Sequence, residues 1–320
     1  MDAIPRLSVG LAVYNGENYL TESLEALLGQ SYEDFELIIS DNASTDGTAD
    51  ICRSYAKQDS RINYIRQPRN IGCARNYNFL VEQARGELFK AAAHDDLYAR
   101  DLLRLCVEAL DENPQVVLAH AWSAEIDESG TVTELIDYPV DTANPRAPER
   151  LRSMLFDGWG DDQGGVVRTK ILRQASPHGS YHFADRTFTI DIAMYGPFYM
   201  VPDWLYFRRV HGGQGGKRRT MRDRCSYLDP RRADRLRNPA VRLYAEYIWG
   251  YVSAIQRAPL SPEDQRECYR ILARWVAGRA FPVASRTLAR SGLTSQPLAS
   301  PARLSMSVSA VVATQQARVL

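Results

Sequence analysis

No stretch of this chain approaches the ~18 consecutive apolar residues that a membrane-spanning helix needs, so no transmembrane segment is expected. The opening segment, MDAIPRLSVG, lacks a basic region followed by a long apolar one, which predicts no signal peptide. Neither sign of charge is in excess. The 39 basic residues balance 39 acidic ones, so no overall field argues for a nucleic-acid partner. Cysteines are few and odd in number: Cys52, Cys73, Cys106, Cys225 and Cys268 form no C-x-x-C pair. That argues against a zinc ribbon and against a disulfide framework, and it fits a reducing, cytoplasmic setting. Two phosphate-binding signatures are also missing, G-x-G-x-x-G and G-x-x-x-x-G-K-[ST], so dinucleotide and P-loop readings lose their strongest support. No internal repeat is visible.

What is present is an alternation of two periods. Short apolar runs of strand type stand at 7–13, 35–40, 62–66, 87–93 and 115–121. Between them lie helical patterns at 17–30, 45–58, 71–86 and 99–113. Leu20, Leu24, Leu27 and Leu28 share one face of the first. Such alternation predicts an α/β fold with a mainly parallel, Rossmann-like sheet covered by helices. After residue 125 the rhythm breaks. A hairpin is expected at DESGTVTE, a helix within 144–158, a strand running into a helix at 164–175, and a helix over 184–196. PFYMVPDWLYFRRVH (197–211) reads as strand, turn, strand. Two further helices are expected at 239–256 and 261–278. The first should bury Val241, Tyr244, Ile248, Tyr251, Val252 and Ile255, and the second should be capped by Ser261 with Pro262 following.

Ligands of open parallel sheets bind beyond the carboxyl ends of the strands. Here those ends read VYNGEN, SDNASTDGT and HDDLYA, all polar and all on one edge. Asp95 and Asp96 therefore sit at a strand exit, facing a crevice. Paired carboxylates there suit Mg²⁺ or Mn²⁺ shared with a ligand's phosphates; equally, Asp95 could cap the following helix. Asp41 stands at the end of the second strand, where a carboxylate could accept the imide N–H of a uracil or thymine ring.

The combination of YNGENYL, SDNASTDGT, RNIGCARN and an Asp pair, in this order and spacing, resembles family 2 glycosyltransferases of GT-A fold. The resemblance is strong over about 5–125 and weaker over 160–215. It implies a nucleotide-sugar donor, a divalent metal (Mn²⁺ or Mg²⁺) and a hydroxyl acceptor. By position, Tyr14 would pack near the base beside the Ala12 and Val13 backbone, with Glu17 in the same loop. Asp41 would accept from the base, and Arg75 would lie near base or diphosphate. Asp95 and Asp96 would form the ribose and metal pair, with Asp96 the direct metal ligand. Many relatives carry an Asp-x-Asp triplet where this chain has His-Asp-Asp. In the second half, Asp185 would be the catalytic base of an inverting transfer, with Asp191 its rival. His211 opens a Gly-rich loop that would act as a lid, bringing His211 to the metal and Lys217 to the phosphates. Trp159 and Asp162 would line the acceptor site, along with Asp191.

The expected organisation is a nucleotide-sugar-binding half (1–125), an acceptor-binding half with base and mobile loop (126–222), a helical region (223–290) and a flexible tail (291–320). The expected function is metal-dependent, inverting transfer of one sugar from a UDP- or dTDP-sugar, a hexosyltransferase type of reaction. A natural product, a polysaccharide precursor or a lipid-linked sugar would serve as acceptor. A sugar-phosphate nucleotidyltransferase and a non-catalytic nucleotide-sugar-binding module are the alternatives. The C-terminal helices, rich in Arg and aromatics, leave room for a homodimer or for peripheral membrane contact.

Overall fold

The computed structural model describes residues 4–158, 164–213, 220–280 and 306–308. The first half follows the expected alternation: β1 (Leu7–Val13), α1 (Leu20–Leu28), β2 (Phe35–Asp41), α2 (Thr48–Gln58), β3 (Ile62–Arg66), α3 (Cys73–Gln83) and β4 (Leu88–Ala93). A two-residue strand that the periodicity did not show, β5 (Leu97–Tyr98), precedes α4 (Leu102–Glu112). Then come β6 (Leu118–Ile126), β7 (Thr131–Ile136), α5 (Ala147–Phe156), β8 (Val166–Arg168), α6 (Thr169–Gln174), α7 (Ala184–Ala193) and β9 (Phe198–Arg209). Helices α8 (Met221–Leu228), α9 (Ala240–Arg257) and α10 (Pro262–Ala280) follow, with an edge strand β10 (Met306–Ser307).

One sheet runs in the order β10-β7-β6-β8-β4-β1-β2-β3, and β9 pairs with β6 and β5. Strands β4, β1, β2 and β3 are parallel, and β8 is wedged antiparallel between β4 and β6. Strands β1, β2 and β4 are largely buried on both faces, which is why β1 reads as a nearly unbroken apolar run. On one face, Leu20, Leu24 and Leu27 of α1 and Leu102, Leu103 and Cys106 of α4 close a core over Leu7, Val9 and Leu11. On the other, Leu80 of α3, Leu151 of α5, Phe188 of α7, Tyr251 of α9 and Trp275 of α10 close a second. The C-terminal helices thus complete the core under the sheet.

Several expectations change. The segment 198–209 is one strand, not two around a turn. Its register against β6 shifts between Ala121 and Ser123, and Pro202, which has no N–H to give a ladder, sits in that irregularity. Helix α9 buries Leu243, Tyr247, Tyr251, Ala254 and Ile255, whereas Val241 is 75% and Tyr244 55% exposed. Apolar residues cover two faces of this helix, so period alone could not tell which one packs. The expected boundary at 125 falls within β6, so both halves share the sheet. Ser261 does cap α10, its Oγ accepting from Asp264 N at 3.1 Å. Of the expected tail only 306–308 are described, and Met306–Ser307 pair antiparallel with β7. No helix among the described residues is long and apolar enough to cross a membrane.

Candidate active site

The exits of β1 and β2 are stitched into one unit. Asn15, at φ +52°, donates its N–H to Ser44 Oγ (2.9 Å) and accepts from Thr45 N (2.8 Å). Gly16 N donates to Thr48 Oγ1 (2.9 Å), and Glu17 Oε2 accepts from Gly47 N (2.6 Å). A Cβ on Gly16 would lie 2.4 Å from the His94 ring, so the β1 exit also rests against the β4 exit. Ala12 and Val13 end β1, and Tyr14 stands 42% exposed beyond them. Arg75 is exposed on the first turn of α3.

Asp41 is turned inward, contrary to the base-reading role expected of it. Its side chain is fully buried. Oδ1 accepts from Ser44 N (2.8 Å), Oδ2 from the Tyr64 hydroxyl (2.9 Å), and Arg66 Nε lies 3.2 Å away. These contacts hold the β2 exit in shape.

The two carboxylates of the pair have different surroundings, although both line one cavity. Asp96, 4% exposed, points back into the fold: Oδ2 accepts from the Tyr206 hydroxyl (2.5 Å) and Oδ1 from Arg209 N (2.9 Å). Asp95 faces His211, with Oδ2 and Nε2 2.9 Å apart. Gly213 N donates to His211 Nδ1 (3.2 Å), which leaves the ring proton on Nε2 for Asp95. The His211 ring also packs on Tyr19, with centroids 4.9 Å apart. The wholly buried Arg209 braces this corner. It donates to the Asp95 carbonyl (2.9 Å), to the Glu128 carbonyl (2.8 Å) and to Glu22 Oε2 (2.6 Å), and its guanidinium lies over the Tyr19 ring. Sequence reasoning missed both Tyr206 and Arg209; alternation along β9 places them on opposite edges of the same corner only once the partner strands are known.

A cavity of about 690 Å³ opens beside this corner. Asp95, Asp96, Asp185, Glu125, Arg208 and Arg224 give it its charges, while Tyr77, Phe188, Leu118, Val167 and Ile192 make its inner wall apolar. Asp185 is exposed on the first turn of α7, reached through Phe183 at φ +56°. The Arg208 guanidinium donates to Glu125 Oε1 at 2.5 Å across the wall. His178, unnoticed in the sequence, also lines the cavity. Burial holds its imidazole below the usual histidine range, with the Asp185 charge acting against that shift. Asp191 is not among the residues that line the cavity. It is 1% exposed, and its Oδ2 accepts from Ser176 N and from Arg257 Nη2, both at 2.8 Å. Trp159, Asp162 and Lys217 lie outside the described residues, as does 214–219 of the expected lid.

Asp95 and His211 are the side chains that would be offered to a cation, in exchange for the hydrogen bond between them. One carboxylate oxygen and one imidazole nitrogen form a mixed donor set of the kind Mn²⁺ accepts. No group of three or more His, Cys, Asp or Glu that could hold a metal occurs among the described residues, so further ligands would come from a bound molecule's oxygens.

A mainly parallel α/β sheet whose strand exits converge on carboxylates beside a cavity has the general arrangement in which open α/β sheets bind ligands. Residues 8–165, just under half of the chain, match the family Glycosyl transferase family 2, and that segment belongs to it, on a GT-A fold. The chain is 41% identical over 98 residues to EpsE of Bacillus subtilis, a match covering 30% of this chain and 35% of that one. The matched part thus spans about a third of that relative's length. Among solved structures it resembles S. aureus TarS in complex with UDP-GlcNAc, with a TM-score of 0.63 and 18% identity, over 90% of this chain and 76% of the other. It also resembles the mannosyltransferase PcManGT of Pyrobaculum calidifontis in complex with GDP-Man and Mn²⁺, with a TM-score of 0.50 and 19% identity, over 89% and 80%. At these identities the two structures speak to the fold.

Proposed function

We propose that this protein transfers one sugar, with inversion, from a UDP- or dTDP-sugar to an acceptor hydroxyl. The observation that carries the reading is that Asp185 and Asp95 line one cavity, with His211 hydrogen-bonded to Asp95. Asp95 and His211, rather than Asp96, are the side chains for Mn²⁺ or Mg²⁺. A bound cation would offset charge on the diphosphate as the sugar leaves. Asp96 orients Asp95 through the shared turn and Arg209. Tyr14, exposed beyond the end of β1, offers its ring to the base, and Arg75, exposed on α3, offers charge. Asp185 accepts the proton of the acceptor hydroxyl as that oxygen bonds to the anomeric carbon. The bond from that carbon to the diphosphate oxygen breaks, and its electron pair leaves with the diphosphate. The apolar inner wall excludes water, the competing nucleophile.

The test is a thermal-shift screen of UDP, dTDP, GDP and UDP-GlcNAc, each with Mn²⁺, Mg²⁺ or chelator. A uridine or thymidine diphosphate should stabilise the protein in the presence of Mn²⁺. No stabilisation by any nucleotide would remove the reading.

A further inference from the structure

Lys90 lies in the middle of β4, paired with Val9 of β1 and Val166 of β8, and none of it reaches solvent. Ala91 lines the cavity, so the Lys90 side chain leaves the opposite face of the sheet. Burying an ammonium is costly, and burial draws this amine down to about 8. Its compensation is a backbone carbonyl and two ring faces. The Nζ donates to the Gly164 carbonyl, 4.8 Å from the Tyr98 ring centroid and 5.7 Å from that of Tyr206. The two rings stack with centroids 5.9 Å apart.

Each of these contacts leads to the site. The Tyr98 hydroxyl accepts from Ala93 N (2.8 Å) and donates to the Ala93 carbonyl (3.0 Å), at the last residue of β4 before the carboxylate turn. The Tyr206 hydroxyl donates to Asp96. Gly164 leads into Gly165 and Val167, which line the cavity. A Cβ on Gly164 would fall 2.6 Å from Tyr206 Cδ1, so the backbone there lies directly on that ring.

We propose that Lys90 is a positioning residue that ties the Gly164–Val167 wall of the cavity to the Tyr206–Asp96 support of the carboxylate turn, so that the two keep one relative placement. This rests on the donor-site reading above. An apolar side chain of similar volume would fill the space and sit between the same rings, but it would give nothing to the Gly164 carbonyl. The substitution relieves the cost of a buried charge while leaving one carbonyl unmet, so the two effects on stability oppose each other and positioning can be read apart from stability.

The experiment compares the full chain with Lys90→Met. Its readouts are melting temperature, backbone amide exchange at 95–98 and 164–168, and calorimetric affinity for UDP with Mn²⁺. We expect an unchanged or raised melting temperature, faster exchange in both stretches, and affinity for UDP with Mn²⁺ lowered about tenfold, the scale of a lost supporting contact. Tyr206→Phe keeps the ring on Gly164 and removes only the donor to Asp96, so its exchange should rise at 95–98 alone. Unchanged exchange at either stretch in Lys90→Met overturns the proposal. So does a fall in melting temperature with exchange raised evenly across the sheet, which would make Lys90 a plain core support. A wild type that binds no UDP with Mn²⁺ would sink the donor-site reading instead, and the exchange data would still decide on Lys90.

Discussion

Asp95 and Asp96 are neighbours in the chain with opposite surroundings, one beside a histidine at the cavity edge and the other hydrogen-bonded into the fold. Their asparagine variants should therefore separate. Asp95→Asn should abolish the Mn²⁺-dependent part of UDP binding while leaving the melting temperature near that of the wild type. Asp96→Asn should lower stability by ~1–3 kcal/mol, the scale of disturbing a buried, hydrogen-bonded charge. Calorimetry and thermal melts on the two variants check this, and equal losses of binding from both would contradict the division of roles. Asp185→Asn should bind UDP with Mn²⁺ as the wild type does, yet lose turnover by ~10²–10⁴-fold. Release of UDP from a donor sugar, measured with saturating acceptor, reports it. An unaltered rate would take the base role away from Asp185.

Among the elements, α7 carries two acids with separate fates. Asp185, on its first turn, reaches the cavity, while Asp191, six residues on, turns to Arg257 of α9. At ~100° per residue the two point ~120° apart from each other, so one helix cannot present both to the same cavity. The Asp191–Arg257 pair bolts α9 to the underside of the site. Arg257 is partly exposed, so water replaces some of what it loses, and Asp191→Asn should cost ~1–3 kcal/mol. That lowers the melting temperature by several degrees while nucleotide affinity stays as it was. A variant that melts normally but loses turnover would return Asp191 to the chemistry. Strand β9 has a comparable double duty. Its irregularity around Pro202 re-aims the second half of the strand, which carries Tyr206 and Arg209 to Asp96.

Across the whole molecule, balanced charge leaves stability to individual buried groups rather than to a net field. His120 of β6 is 2% exposed, and burial pushes its imidazole down to about 4. The folded state therefore holds this ring neutral where the unfolded chain begins to protonate it. Its contribution is fully present above pH ~6.5 and is lost as pH falls toward 4, by up to ~3 kcal/mol. Chemical denaturation of wild type and His120→Gln at pH 7 and pH 4.5 measures the difference. The wild type should lose more stability than the variant over that interval. Parallel losses would show that other groups carry the acid sensitivity.

The sequence by itself determined the sheet-and-helix order through β4 and the polar residues gathered at one edge of the sheet. Apolar period and polar strand exits are local signals, and both are written in neighbouring residues. The family resemblance also drew attention to Asp185, which lines the cavity, and to His211, which meets Asp95. Tertiary structure alone decided which oxygens face outward. Asp41 and Asp96 read as ligand acceptors, but Tyr64, Ser44, Tyr206 and Arg209 N, mostly distant in the chain, take up their oxygens. The same holds for Lys90, which in sequence is one polar residue in an apolar strand, and for α9, whose two apolar faces are equivalent until α7 and α10 cover one. A hydrogen bond or a packed face depends on what arrives from elsewhere in the chain, and no local pattern records that.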